Sequence, residues 1–436
     1  MEDKLNAIVR QYWGFPSLRP EQGLVVKELV QNRVALVILA TGGGKSLCYQ
    51  VTGLTLDGLC IVISPLLALM QDQVQRLIKQ NITAVAFNSL LLAEQKEVVL
   101  QKLRKGEYKF LYLAPESLRN KELLQVLQQV KVSQITIDEA HCVASWGNDF
   151  RPAYLEIAKC LGWLWQDPGT KINVFTATAS PRLRIEIIDL LLLPPNTKLL
   201  IFPVQRSNLS LNVKLGYNWN NVLEQVKSAV ANNSCTLIYS ATRKRVEEVA
   251  EHLNMLGLKA AFFHGGLSKE LKTQVLHNFM DNKTLLLVCT NAFGMGIDKP
   301  DIRLVIHDIM PASLADYFQE VGRAGRDGKP ASAILNFSWW GLRTRVEMNK
   351  MSYENKQSAL PKRNILANHW QRKELRYKNY LREADLAALL SYCTKTRGCR
   401  MVQVLKYFGQ KIEPCLQCDL CLGSAAISSV YNARIS

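Results

Sequence analysis

Val34-Ala-Leu-Val-Ile-Leu39, followed by Ala40-Thr41-Gly42-Gly43-Gly44-Lys45-Ser46, is the stretch that decides the fold of this chain. A β-branched apolar run, a glycine loop and a helical pattern predict a buried strand, a turn and a helix N-terminus in that order. Glycines let backbone amides wrap an anion, a lysine adds charge, and a serine hydroxyl can ligate magnesium. The stretch therefore reads as a phosphate loop for a nucleoside triphosphate and its magnesium, with Thr41, Gly42, Gly43, Gly44, Lys45 and Ser46 as ligands. It departs from the general pattern at one point, because Leu39 stands five positions before Gly44 where that pattern has glycine. A plain glycine turn would not require strand, loop, lysine and helix to fall in register.

Outward from the loop, short apolar runs alternate with amphipathic stretches: Leu59-Cys-Ile-Val-Ile, Ala84-Val-Ala-Phe, Phe110-Leu-Tyr-Leu, Gln134-Ile-Thr-Ile-Asp and Asn173-Val-Phe-Thr. That rhythm predicts a parallel sheet with crossover helices. A second series follows Pro203: Thr236-Leu-Ile-Tyr, Ala260-Ala-Phe-Phe, Thr284-Leu-Leu-Leu-Val, Leu304-Val-Ile and Ala333-Ile-Leu-Asn-Phe. Two tandem α/β domains are expected, residues 1–203 and 204–338, then a mainly helical module over 339–425 and a tail over 426–436.

Two further motifs carry chemistry. Ile135-Thr-Ile-Asp138-Glu139-Ala140-His141 puts two acids at the end of a buried strand. The C-terminal edge of a parallel sheet gathers ligands there, so one acid can join a magnesium shell while the other polarises water. In the second half, Gln319-Glu320-Val321-Gly322-Arg323-Ala324-Gly325-Arg326-Asp327-Gly328 carries arginines three residues apart, which would share a helix face. A planar guanidinium suits the charge of a γ-phosphate in transfer.

Composition sets limits on partners. Hydrophobic residues make up 48% of 436 and charged residues 21%, a globular balance that excludes disordered and collagen-like chains. Lys and Arg total 54 against 37 Asp and Glu, a formal +17, which favours polyanions through counterion release. Apolar runs such as Val34–Ala40 fall far short of the roughly 20 residues that cross a bilayer. The acidic start Met1-Glu-Asp-Lys-Leu does not resemble a secretory signal, so an intracellular address is expected. Seven of the 11 cysteines are scattered among apolar neighbours and read as reduced core thiols.

With these motifs in place, the chain resembles the RecQ family of superfamily 2 DNA helicases over nearly its whole length. The Ala-Thr-Gly-x-Gly-Lys-Ser loop is the form typical of helicases. Further matching segments are Gly14-Phe15-Pro16-Ser17-Leu18-Arg19-Pro20-Glu21-Gln22, Ile63-Ser64-Pro65-Leu66-Leu67-Ala68-Leu69-Met70-Gln71-Asp72-Gln73, Thr176-Ala177-Thr178-Ala179 and Thr290-Asn291-Ala292-Phe293-Gly294-Met295-Gly296-Ile297-Asp298-Lys299-Pro300. The resemblance implies two RecA-like domains that clamp ATP and magnesium, with Arg19 and Gln22 at the adenine edge and Phe15 near the base. Lys45 and Ser46 would hold phosphates and metal, Asp138 the metal, and Glu139 would be the general base. His141, Thr176 and Thr178 would couple hydrolysis to motion, and Ser64, Thr290 and Asp298 belong with the strand-contacting and coupling set. Gln319, Arg323 and Arg326 would act at the nucleotide, with Arg326 nearest the γ-phosphate. Ser145-Trp146-Gly147-Asn148-Asp149-Phe150-Arg151-Pro152 resembles the family's aromatic-rich loop, where Trp146 and Phe150 would stack on unpaired bases and Arg151 would add charge. Asn148 replaces a residue that is commonly histidine in the family, which puts the tuning of that loop in question.

Four cysteines remain. Cys399 and the run Cys415-x-x-Cys418-x-x-Cys421 are separated by 415 − 399 = 16 positions, and four thiolates at such spacing suit tetrahedral zinc. An iron–sulfur cluster also takes four cysteines; the resemblance to the RecQ zinc-binding module selects zinc. Between motor and cluster, Lys362 to Arg382 carries seven basic residues against Glu374, interleaved with Trp370, Tyr377 and Tyr380. It reads as a solvated helical face or as a contact with a nucleic-acid backbone. After Cys421 come 436 − 421 = 15 residues, so the family's winged helix and terminal helical module are expected to be absent. The whole reading is an ATP-dependent DNA helicase or translocase moving 3′ to 5′ on single-stranded DNA. It is expected to be monomeric, off the membrane, and nuclear or nucleoid according to organism. Its rivals are an RNA helicase and an ATP-regulated DNA-binding or strand-annealing protein.

Overall fold

The computed structural model describes residues 2–144, 151–216, 219–294, 299–358 and 365–423. Its contacts group the chain into two units, 1–204 and 205–436.

The first unit holds β1 (Val34–Ile38), β2 (Leu59–Ile63), β3 (Ala84–Phe87), β4 (Phe110–Leu113), β5 (Val132–Ile137), β6 (Lys171–Thr176) and β7 (Lys198–Ile201), in the order β3-β4-β2-β5-β6-β1-β7. Every pairing is parallel. β1, β2 and β5 are buried along their entire length, as strands covered by helices on both faces must be, which explains why they read as unbroken apolar runs. The core on one side joins Val37, Tyr49, Phe110, Tyr112 and Phe175 to Val25, Val26 and Leu29 of the helix Pro20–Gln31. Because β5, β6 and β1 are neighbours and parallel, the loops that leave their C-terminal ends open onto one edge.

The second unit holds β8 (Leu209–Leu215), β9 (Cys235–Tyr239), β10 (Ala260–Phe263), β11 (Leu286–Cys289), β12 (Ile302–His307) and β13 (Ala331–Phe337), ordered β10-β11-β9-β12-β13-β8 and again parallel throughout. Sequence periodicity had not marked β7 or β8. Both are edge strands, β7 mostly exposed and β8 alternating, and so lack the continuous apolar run of a central strand.

The helices Trp339–Ser358, Ile365–Thr394 and Arg400–Tyr407 form the mainly helical C-terminal region. Contacts place it within the same unit as the second sheet. Tyr392 packs on Tyr317 and Phe408 on Phe318, joining it to the helix Leu314–Val321. The cysteine loop also bonds to the edge strand: Ser210 Oγ donates to Gln417 O at 2.7 Å, Gln417 Nε2 to Leu209 O at 3.1 Å, and the Val213 amide to Asp419 Oδ2 at 3.1 Å. An exposed strand edge is thereby covered.

No helix among the described residues is long and apolar enough to cross a membrane.

Candidate active site and metal centre

The glycine loop leaves β1 and feeds the helix Lys45–Leu54, so the first amides of that helix face the sheet edge. Gly42 and Gly44 have φ of 80° and 82°, a region that glycine enters without steric cost. Gly44 is needed for a second reason: a Cβ there would lie 2.3 Å from Gln22 Nε2. Gln22 donates to Gly43 O at 3.0 Å and accepts from the Arg19 amide at 3.0 Å. Its amide group thus ties the Gly14–Gln22 segment to the phosphate loop. Phe15, on the same segment, is half exposed.

Two strands away, β5 ends at Asp138 and Glu139. The chain turns sharply here, with Glu139 at φ 48° and ψ 46°. The Asp138 amide donates to Ile63 O and the Glu139 amide to Asp138 Oδ1, each at 2.9 Å. Burial raises the Asp138 carboxyl to about 7, the neighbouring Glu139 charge adds to the rise, and Lys45 opposes it. A buried carboxyl held near neutrality beside an ammonium suits a magnesium-nucleotide, whose cation would restore its charge. Asp138 and Ser46 are the residues that would hold that ion.

His141 lies on the next turn, and its Nδ1 is 3.1 Å from Thr176 Oγ1 at the end of β6. Thr176 Oγ1 donates to Thr178 O at 3.1 Å. The structure thus joins the acid turn and the Thr176–Ala179 segment by a side-chain bond. Ser64, at the end of β2, is buried and its hydroxyl has no hydrogen-bond partner among the described residues. Trp146, Asn148 and Phe150, together with Asp298, lie outside the described residues.

Arg151 is described, and it borders a cleft of about 380 Å³ at the ends of β2, β3 and β4. Pro65, Asn88, Ser89 and Lys96 also line it. Pro65 belongs to the Ile63–Gln73 segment, whereas Asn88, Ser89 and Lys96 have no signature in sequence, since isolated polar residues after strands carry no spacing signal.

In the second unit, the arginine motif departs from the expected helix. The helix Leu314–Val321 ends at Gly322, so Gln319 is helical whereas Arg323 and Arg326 sit in the turns that follow. Gly325 enforces the break: its φ is 58°, and a Cβ would lie 2.6 Å from Asn208 Nδ2 and 2.8 Å from Lys329 O. Asn208 donates to Gly325 O at 2.7 Å, and Arg206 donates to Gly322 O at 3.0 Å and also to Gly325 O. Burial and the nearby Arg326 charge lower the Arg206 guanidinium. Arg206 and Asn208 brace the turns that carry the two arginines, and neither has a spacing signal in sequence. Arg323 is buried and donates to Gly294 O, where a Cβ on that glycine would meet its guanidinium. Two motifs far apart in sequence therefore share one packed contact. Thr290, at the end of β11, is buried and accepts from the Ala292 amide at 3.3 Å.

The Sγ atoms of Cys399, Cys415, Cys418 and Cys421 lie within 4.8 Å of one another. Metal–sulfur bonds of about 2.3 Å in a tetrahedron give sulfur–sulfur edges of about 3.8 Å, so one ion fits and a larger cluster does not. Cys399 precedes the helix Arg400–Tyr407, as expected from the sequence. Backbone amides support the sulfurs, Arg400 N to Cys418 Sγ at 3.3 Å and Cys415 N to Cys399 Sγ at 3.2 Å. Burial and the neighbouring sulfurs raise Cys415 to about 11 and Cys421 to about 12, a penalty that a central dication would reverse. Arg400 and Asp419, each next to a ligand in sequence, form an ion pair at 3.0 Å.

Three family models match this chain: DEAD/DEAH box helicase over residues 19–185, helicase conserved C-terminal domain over 220–328, and RecQ zinc-binding over 350–422. The ATP-dependent DNA helicase RecQ of Bacillus subtilis is 34% identical over 437 residues, covering 99% of this chain and 69% of the relative. The Synechocystis RecQ is 39% identical, covering 76% and 70%. The Haemophilus influenzae RecQ, 34% identical, is covered over 63% of its length, so the chain spans about two thirds of such relatives. Among solved structures, the helicase MrfA bound to DNA has a TM-score of 0.64 at 19% identity, over 80% of this chain and 50% of that one. Lhr of Mycobacterium smegmatis, bound to ssDNA and AMP-PNP, has 0.60 at 22% identity, over 79% and 49%. These two likenesses bear on the fold alone.

Proposed function

The chain belongs to the RecQ family of ATP-dependent DNA helicases, and from that premise we propose that it hydrolyses ATP to move 3′ to 5′ along single-stranded DNA and part a duplex ahead of it. The observation that carries the reading is the shared edge of β5, β6 and β1, where Lys45, the Asp138–Glu139 turn and the His141–Thr176 bond converge. A bound magnesium ion would screen phosphate charge there. The loop amides and Lys45 would bind the phosphates, Arg19 and Gln22 the base, and Glu139 would take the proton of the attacking water. Gln319, Arg323 and Arg326 are the proposed donors to the γ-phosphate.

Single-stranded DNA would contact Ser64, Arg151 and the Asn88–Lys96 cleft on the first unit, and Thr290 on the second. The zinc ion would be structural. The address of such a protein would be intracellular, at DNA.

The test is release of a labelled strand from a forked duplex, run beside ATP hydrolysis with and without single-stranded DNA. Wild-type protein should release the strand only with ATP, and hydrolysis should rise when DNA is added. Lys45→Ala should lose both activities, because the terminal phosphates lose their ammonium, while DNA affinity stays within about threefold, roughly half a kcal/mol. ATP-independent annealing without strand release would favour a binding protein instead. Stronger stimulation by RNA than by DNA would refute the choice of substrate.

A further inference from the structure

We propose that Tyr154 is a positioning residue for water activation: its hydroxyl holds the Asp138–Glu139 peptide and links that turn to the chain beyond residue 150. The inference rests on the ATPase reading given above and adds a residue to it.

Glu139 occupies left-handed backbone space, which is strained for a non-glycine residue and persists only where surrounding bonds over-determine it. Three of those bonds are local or belong to the sheet: Asp138 N to Ile63 O, Glu139 N to Asp138 Oδ1, and Cys142 N to Glu139 O, each at 2.9 Å. A fourth comes from farther along the chain. Tyr154 Oη donates to the Asp138 carbonyl at 2.7 Å. That carbonyl belongs to the peptide on which the Glu139 side chain is mounted.

Tyr154 is itself rigidly placed. It lies in the short turn Pro152–Glu156 with no exposed surface. Burial pushes its phenol well above the ordinary value, so the hydroxyl keeps its proton and acts as the donor. The Arg151 amide donates to Cys142 O at 3.0 Å, a second tie between the same two segments. Residues 151–154 and 138–142 therefore form one clamped piece, and Arg151 faces the cleft at Pro65, Asn88 and Lys96. A strand that engages Arg151 would push on the piece that aims Glu139. Tyr154 would touch neither nucleotide nor strand and would act only through the backbone it holds.

Tyr154→Phe removes one oxygen and keeps the ring. Tyr112→Phe is the control, because Tyr112, on β4 of the same unit, is about as deeply buried and its hydroxyl accepts from Gln50 Nε2 at 2.8 Å instead of holding the backbone of the acid turn. In steady-state hydrolysis, Tyr154→Phe should lower the DNA-stimulated kcat about ten- to a hundredfold, the scale of a small misplacement of a catalytic group. The ratio of stimulated to unstimulated rate should fall with it. KM for ATP and the affinity for a labelled single strand should each stay within about twofold, a few tenths of a kcal/mol. Tyr112→Phe should match wild type in kcat and in the ratio.

An unchanged kcat and ratio in Tyr154→Phe would overturn the assignment, as would an equal fall in Tyr112→Phe. A rise in KM that accounts for the whole loss would overturn it too, since binding would then be what was disturbed. If the wild-type chain hydrolyses no ATP, the ATPase reading fails, a result distinct from an active wild type that Tyr154→Phe equals.

Discussion

Glu139→Gln is expected to reduce ATP turnover by about 10²- to 10⁴-fold, the range that a positioned general base contributes. Glutamine keeps the length and shape of the side chain but cannot take a proton from water. In the proposed site phosphate binding would rest on Lys45 and the loop amides, and adenine recognition on Arg19 and Gln22, so nucleotide affinity should hold or improve as the complex stalls before hydrolysis. Magnesium should also stay in place, because the Glu139 charge is one of the causes that hold the Asp138 carboxyl up at about 7, and its removal favours the ionised form. The measurement is single-turnover hydrolysis alongside equilibrium binding of a labelled nucleotide. A variant that hydrolyses within threefold of wild type would show that another group takes the proton. One that fails to bind nucleotide would show that the turn at Glu139 supports the loop rather than the chemistry.

How far this site could be read from sequence follows from what each residue depends on. The phosphate loop, the acid pair and the four cysteines have fixed local spacing, and each lies where a strand or helix boundary was already legible. The sheet order was not written in the sequence, and it is the order that makes Thr176 a neighbour of His141. Arg206, Asn208 and Tyr154 escaped notice for a related reason. Each acts on a backbone carbonyl far away in the chain, Gly325 O for the first two and Asp138 O for the third, and a carbonyl has no signature in a sequence. The arginine motif was misread as helix because its spacing of three fits a helix face, whereas Gly322 and Gly325 act together as a stop. A glycine just past a helical pattern is the sequence mark of such a stop, and Gly325 takes φ 58° there.

Removing zinc, by chelation or by Cys418→Ser, is expected to destabilise the second unit and leave the first almost untouched. Cys418 is the most deeply buried of the four ligands, and the loop that carries it bonds to four residues outside it. Asp419 is bonded to Arg400 and to the Val213 amide, and Gln417 to Leu209 and Ser210 of β8. Without the metal, four sulfurs within 4.8 Å of one another would have no cation to hold them together, and the loop would lose its reason to stay on the strand edge. Zinc contributes about 10–16 kcal/mol to isolated zinc-finger peptides. Even a quarter of that, at about 2–4 °C per kcal/mol for a unit of this size, is a fall near 10 °C. Calorimetry should show two transitions, of which only the one assigned to residues 205–436 moves, with metal analysis giving close to one zinc per chain beforehand. The same uncovering of β8 exposes strand-edge amides and carbonyls, so the zinc-free protein should also associate at micromolar concentration by light scattering. If both transitions shift together, the loop stabilises more than its own unit; if neither does, the covalent chain and the Tyr392–Tyr317 contact already suffice to hold the helical region in place.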